Sequence, residues 1–509
     1  MRNKYKKILV LISVLLVMSV ILGTSYALWN VYLKSDKTNI VKASCFDVSL
    51  SEENNITLQN VYPLTNKEGK NLTPYKVVVT NNCNSAISYQ VNLEILNTST
   101  LTNMDYVKVM FKDLEPELLS SYDVTSTTIT NASKAYKLEN GYMDAKEKRE
   151  FNMRLWIDEN VTQETEGVQN KSFKSKITVK ASYEEEVPAK ATEYLTELAK
   201  TDDSLVYDET SDNNLRYIGS NPNNYVSVDG ELWRIIGVMN NINDGTGKSE
   251  SRLKLIRNES IGSYSWDTSD SSVNSGYGVN EWSQADIMKL LNPGYESETV
   301  GGSLYWNGKA GTCYNGQNNT ANSCDFTSDS MKSIIKSYIN NAMFNTGSQG
   351  TYWTTQNGGL VKHFYEYERG NNTGKICTSG EYCNDDLERT TKWLGKVGLM
   401  YPSDYGYATN GGNVANRVTC LNTVLKNWNS SNVGECSMNN WMQNDSVSWV
   451  LFPFSFSTNA VGVASIDSSS LTTNYASDGH SIKPVVYLTS SVRIISGDGT
   501  KENAYVLGM

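Results

Sequence analysis

Apolar residues Ile87, Tyr89, Val91, Leu93 and Ile95 alternate with Ser88, Gln90, Asn92 and Glu94. A period of two puts neighbouring side chains on opposite faces of a strand, so this segment is expected to bury one face and wet the other. The pattern recurs where Phe151, Met153, Leu155 and Ile157 alternate with Asn152, Arg154 and Trp156. It returns from Phe173 to Tyr183, with Lys174, Lys176 and Lys180 on the outer face, where lysines also discourage edge-to-edge pairing. Short strands separated by Asn- and Gly-containing turns predict an antiparallel β-sandwich over residues 45–186.

The period then changes. Tyr194, Leu195 and Leu198 share one face of a helix expected within residues 187–204, with Pro188 where such a helix begins. This reads as a helical linker, a spacer packed loosely against the second domain. Residues 205–509 mix patterns and predict a loop-rich α+β domain, making the fold class mainly β with α+β. Asp229-Gly230 lies between two apolar-patterned arms in Asn224–Val238, a strong hairpin signal. Arg252–Arg257 reads as the next strand. A helix is expected from Ser283, with Asp286 completing a capping-box-like start and Ile287, Leu290 and Leu291 inside. A second helix is expected over Ser330–Phe344.

The strongest apolar run is N-terminal. Arg2, Lys4, Lys6 and Lys7 precede an uncharged stretch from Ile8 to Leu22, and Ser25 and Ala27 then form an A-x-A-like site. Residues 1–29 therefore read as an export signal cut after Ala27, or as an uncleaved anchor, since no charge appears before Lys34. Cleavage is favoured because the apolar core stops at Leu22. Either reading places the rest of the chain outside the cell, membrane-bound only if the segment is retained.

Eight cysteines pair most simply by proximity as Cys45/Cys83, Cys313/Cys324, Cys377/Cys383 and Cys420/Cys436. Disulfides of this kind suit an exported chain. The last three pairs would staple the long loops of the second domain. With only His363 and His480 as imidazoles and no CxxC pair, neither a metal site nor any cofactor is expected. A net charge of -10 argues against nucleic acid as a partner.

The residues Ser25-Tyr-Ala-Leu-Trp29, Lys34-Ser-Asp-Lys37 and Lys42–Leu50 resemble the start of TasA/camelysin-type surface proteins. Val61-Tyr-Pro-Leu-Thr65 and Lys76–Asn82 are similar to that family's second and third strands. The resemblance covers about residues 8–186. It implies a jelly-roll-like sandwich, a SipW-type signal peptidase as export partner, and self-assembly into matrix fibres by strand donation. A Cys45–Cys83 staple departs from the family and would restrict that exchange. The second half resembles a domain of unknown function on Gram-positive surface proteins, through Gly230–Val238, Trp282–Asn292, Tyr401–Ala408 and Ser496–Tyr505. Trp449–Phe454, Val461–Ile466 and Gly479–Val486 are more distantly similar to the closing strands of C-type-lectin-like and formylglycine-generating-enzyme-like folds. Lys483 stands where those folds commonly carry arginine.

Nine of the eleven tryptophans lie after residue 230. Aromatic rings beside amides and carboxylates suit carbohydrate or peptide ligands, although tryptophans are also usual core residues. Trp353, Trp393, Asp404, Tyr405, Tyr407 and Trp449, set in Gly/Asn/Ser-rich stretches, are the candidate ligand face. No catalytic constellation emerges: His363 reads as an ordinary surface-strand residue, His480 as a turn residue, and Asp498-Gly-Thr as a tight turn. The expected function is an exported, non-enzymatic surface or matrix protein with an adhesin-like binding domain for a carbohydrate or surface-protein ligand. The alternatives are a purely structural fibre component and a wall-active glycosidase using paired carboxylates, which leave no sequence signature.

Overall fold

The computed structural model describes the chain except residues 1–30, 35–46, 51–55, 60–61, 113, 163, 169, 184–186, 269–276, 348–353, 371–389, 431–432, 444–445, 456–460 and 468–469. The signal segment with Ser25 and Ala27, and also Cys45, Trp353, Cys377 and Cys383, lie outside the described residues. The fold is mainly β with few helices, in two compact units that divide between Val187 and Pro188.

The first unit is a two-sheet antiparallel sandwich. One sheet runs Val31–Lys34, Ser172–Tyr183, Ile87–Leu96, Ala132–Met143, Val124–Thr125, with Ile56–Gln59 also paired to Ser172–Tyr183. The other runs Asp47–Leu50, Tyr75–Thr80, Lys148–Ile157, Val107–Phe111, Glu117–Leu118. Val77, Val79, Val109, Phe151 and Met153 from one sheet share a core with Val91, Leu93, Ile177 and Val179 from the other. Each fully buried side chain of this size contributes about 1.5–3 kcal/mol.

The faces expected to be wet are partly covered. Asn92 and Glu94 are fully buried, and the Glu94 carboxylate accepts from the amides of Thr128 and Ile129 and from the Thr178 hydroxyl. A connecting segment thus closes over the middle of that face. Lys176 is buried as well, and Ser172–Tyr183 is an interior strand that needs no protection from edge pairing. Trp156, expected outside, is buried because the one-turn helix Asn66–Gly69 lies on it. A side chain at Gly69 would meet the indole at 2.3 Å. Tyr62–Thr65, expected as strand, instead leads into this helix, with one bridge from Leu64 to Asp158.

The second unit is built on a nine-stranded sheet. Its main path is Val397–Gly398, Val485–Tyr487, Ser249–Arg257, Glu231–Asn243, Tyr225–Val228, Tyr505–Gly508, Arg493–Ser496. Leu215–Tyr217 joins Leu205–Tyr207 to Glu231–Asn243. The predicted hairpin closes Tyr225–Val228 onto Glu231–Asn243, with positive φ at both Asp229 (49°) and Gly230 (77°). Two such angles are what a two-residue type I′ turn requires. A five-stranded sheet runs Ser263–Ser265, Gly479–Ser481, Ser448–Ser455, Val461–Asp467, Ser470–Tyr475.

The helix Ala191–Leu198 belongs to this unit rather than to a loose spacer. Ala191 donates its amide to Val492, Arg493 donates to the Pro188 carbonyl, and Leu195 is fully buried. The helix expected at Ser283 is a 3-10 turn, Trp282–Gln284, and then an α-helix over Asp286–Leu291. Glu281 caps the turn, and Asp286 accepts from Thr268 instead of forming a capping box. The Ser330–Phe344 prediction contracts to a helix over Ser333–Tyr338, after which Ala342–Asn345 pairs as strand with Lys392–Gly395. Ser330–Phe344 therefore crosses from helical to strand periodicity within one apolar run.

Cys313–Cys324 and Cys420–Cys436 are disulfides, as their spacing suggested. The first staples a β-hairpin, Ala310–Tyr314 with Ala321–Asp325, rather than a loop. Cys83 is also disulfide-bonded. Asp498 closes a tight turn by accepting from the Thr500 amide and hydroxyl.

Filling the contact between Gly69 and Trp156 is expected to destabilise the first unit by ~1–3 kcal/mol in Gly69→Val, because an overpacked core must shift. Lys67→Ala, at an exposed position of the same helix, serves as the control within about 0.5 kcal/mol. Urea unfolding of both variants checks this, and equal midpoints would contradict it.

Candidate functional site

The predicted ligand face lies largely inside the protein. Asp404, Tyr405, Tyr407 and Trp449 expose 1%, 0%, 4% and 1% of their surface, and Trp393 is half-buried on the strand Lys392–Gly395. The tryptophans form a chain of ring contacts: Trp393 to Trp282 at 5.7 Å, Trp282 to Trp266 at 5.1 Å, Trp266 to Trp449 at 6.1 Å, then Trp449 to His480 at 4.5 Å. Such tilted and edge-to-face packing is how aromatic cores cohere. These positions therefore act as core, and the expectation of a solvent-facing platform there is corrected. The Tyr405 hydroxyl, expected to make a polar contact, is buried without a hydrogen bond among the described residues.

Asp404 is instead the hub of a buried ion cluster. Pro402 starts the helix Pro402–Tyr407, and the Asp404 carboxylate accepts from the Tyr401 amide at its entrance (2.9 Å). It also accepts from Arg216 Nη1 (2.8 Å) and Lys254 Nζ (2.5 Å). Arg216 donates its Nε to Asp208 (2.7 Å), and Lys254 lies 3.9 Å from the Tyr401 ring centre. Glu368, on the helix Val361–Glu368, accepts from the amide (2.9 Å) and hydroxyl (2.5 Å) of Ser403. Burial pulls the Lys254 ammonium down to about 8, although Asp404 acts to hold it charged. Burial pushes the Glu368 carboxyl up to about 7, whereas Lys254 and Arg216 keep Asp404 below the usual carboxylate range against burial.

A concave site opens elsewhere on the same sheet. Arg234, Ile256, Arg257, Asn258, Trp441, Met442 and Lys483 line a cavity of about 30 Å³. Arg234 projects from Glu231–Asn243 opposite Ile256, and only 8% of it is exposed. Its guanidinium carbon sits 4.2 Å from the Tyr225 ring centre and 4.5 Å from that of Trp441, a cation held between two aromatic faces. Nε donates to Asn224 Oδ1 (2.8 Å) and Nη2 to the Pro222 carbonyl (3.4 Å). No carboxylate among the described residues pairs with Arg234, and burial draws the guanidinium down to about 10. Arg257 differs, because Glu231 (2.6 Å) and Asp329 both pair with it. Trp441 is fixed by donating its indole N–H to the Tyr217 carbonyl (3.0 Å) and its amide to Gly219 (2.7 Å).

Sequence reasoning missed this site. Its one local signal is an arginine inside the buried pattern Leu232-Trp233-Arg234-Ile235, within a stretch already singled out. Trp441 and Lys483 arrive from far along the chain, and although Lys483 stood out in its own segment, nothing in the sequence places either beside Arg234.

The remaining candidates are structural in their contacts. His363 sits on a helix, not a strand, and accepts at Nδ1 from the Leu360 amide (3.4 Å). His480 lies in the strand Gly479–Ser481, not a turn. The carboxylates Asp267 and Asp286 influence one another, and burial with the Asp267 charge pushes Asp286 up to about 7. Asp267 accepts from the Val279 amide and Asp286 from the Thr268 amide, so both close loops. No group of His, Cys, Asp and Glu suited to a metal occurs among the described residues, and no helix there is long and apolar enough to cross a membrane. No family model matches the chain, and neither a curated protein nor a solved structure matches it.

The cluster predicts a specific pH dependence. Because folding raises Glu368 from 4.5 to about 7, the folded chain holds a proton that the unfolded chain has released, and this contribution to stability is lost as pH rises through 7. Glu368→Gln removes it. The urea midpoint of the native sequence is therefore expected to fall relative to that of the variant between pH 5 and 8. A constant difference would sink the assignment.

Proposed function

We propose that the chain is an exported bacterial surface protein whose second unit binds a ligand at the Arg234–Trp441 cavity. The observation that carries this reading is a buried cation, held between two aromatic rings, that borders a cavity and has no acidic partner among the described residues. Small-molecule and peptide sites commonly combine apolar walls with a few fixed polar groups. Here the cation and Ile256 come from adjacent strands, which hold them more rigidly than a loop would, while Trp441 is fixed by its two hydrogen bonds. The export reading rests on Arg2 to Ala27, and the sandwich is assigned the task of tethering or assembling the protein at the envelope. An adhesin-like role comes from combining the two. It involves no catalytic step.

Two measurements test it. Protein recovered from the outside of expressing cells is expected to begin at Leu28, and recovery only from the cytoplasm would end the export reading. Exported protein is further expected to be retained on an array of glycans and peptides. Asn258→Trp, which fills the mouth of the cavity whatever the ligand's charge, should lower retention by about tenfold or more, as loss of a central contact does. Retention that ignores this variant, at unchanged thermal stability, would place binding elsewhere.

A further inference from the structure

A protein that buries a guanidinium ordinarily supplies it with a carboxylate, because an unpaired ion loses its hydration without replacement. This chain does so for Arg216, through Asp208 and Asp404, and for Arg257, through Glu231 and Asp329. At Arg234 it supplies only an amide oxygen, a carbonyl and two aromatic faces. Nη1 makes no hydrogen bond to a described residue, and Arg257, Asn258 and Lys483 stand around the same cavity. The missing partner is an anion.

We infer that the cavity is a receptor for the carboxylate at the C-terminus of a peptide. The inference rests on the ligand-binding reading above and narrows it. Size favours a carboxylate. A cavity of about 30 Å³ has room for about two water-sized groups, which matches two carboxylate oxygens. Shape agrees, since the planar guanidinium fork suits planar carboxylates and a charge-assisted bond is the strong kind. Ile256, Met442 and Trp441 add apolar wall beside the cation, which lowers the local dielectric and strengthens a charge-assisted bond made there. Overall charge selects among carboxylate carriers. A chain of net charge -10 repels a polyanion such as an acidic polysaccharide more strongly than a peptide bearing one terminal charge.

The test titrates the full exported chain with a mixed-sequence hexapeptide library ending in free carboxylates, with the same library amidated, and with oligogalacturonate. The free-acid library is expected to bind about tenfold or more tighter than the amide, the loss typical of one charge-assisted contact. Arg234→Met should erase that preference, with a lowered thermal midpoint because the buried Asn224 Oδ1 loses its donor. Lys483→Met, at the rim, is expected to weaken the free acid several-fold and keeps the test decisive if the first variant fails to fold. Equal binding of acid and amide, both blocked by Asn258→Trp, would overturn the carboxylate assignment and leave the ligand-binding reading standing. Arg234-dependent capture of oligogalacturonate with both libraries silent would overturn the peptide assignment in favour of an acidic sugar. Silence of all three probes would overturn the proposal.

Discussion

The second unit depends on Asp404. Its carboxylate, Arg216 and Lys254 are each at most 2% exposed, and none could be buried alone without a large desolvation cost. The three come from different elements: Arg216 from the short strand Leu215–Tyr217, Lys254 from the centre of the main sheet, and Asp404 from the first turn of Pro402–Tyr407. None of these elements can seat until the others are present. Such clusters add less to stability than matched apolar packing would, but a misplaced strand or helix leaves a naked charge and is penalised heavily. That selectivity matters in a unit whose described α-helices run only four to eight residues and whose regular elements alone specify little.

The cluster also explains why Tyr401–Ala408 reads as it does in the sequence. A run of Tyr, Pro, Ser, Asp and Gly has the composition of a binding loop, and its polar groups suggest an exposed face. The structure turns that run inward. Pro402 starts the helix, Asp404 takes the two cations, Ser403 donates to Glu368, and Gly406 lies where a side chain would meet Val361 at 2.5 Å. Composition registered the polarity correctly but could not supply its sign of exposure, because the compensating charges lie 150 and 188 residues away.

The same distinction separates what was legible elsewhere. The Asp229-Gly230 turn, the strands on either side of it, the local disulfides and the sandwich strands are set by neighbours in sequence, and they were readable. Glu94 and Trp156 obeyed the period of two yet lie buried, because the outer sheet faces there are covered by a connecting segment and a one-turn helix that periodicity does not report. The tryptophan chain from Trp393 to Trp449 spans four separated segments, so its members looked like independent candidates for a surface. Arg234 showed itself only as a charge out of place in an apolar strand.

The ion cluster and the cavity are joined through one short strand. Arg216 and Tyr217 are consecutive, so their side chains point to opposite faces, and the Arg216 guanidinium is locked by two carboxylates. The strand is pressed onto Glu231–Asn243 closely enough that a side chain at Gly237 would lie 2.0 Å from the Leu215 carbonyl. The next carbonyl but one, that of Tyr217, receives the Trp441 indole N–H, and Gly219 receives the Trp441 amide. Trp441 in turn forms one of the two faces that hold Arg234. The charge cluster thereby fixes the aromatic wall of a cavity built beside a different arginine, one without a carboxylate partner among the described residues. Two arginines on one sheet are buried by different means, one between two carboxylates and the other among an amide oxygen, a carbonyl and two aromatic faces.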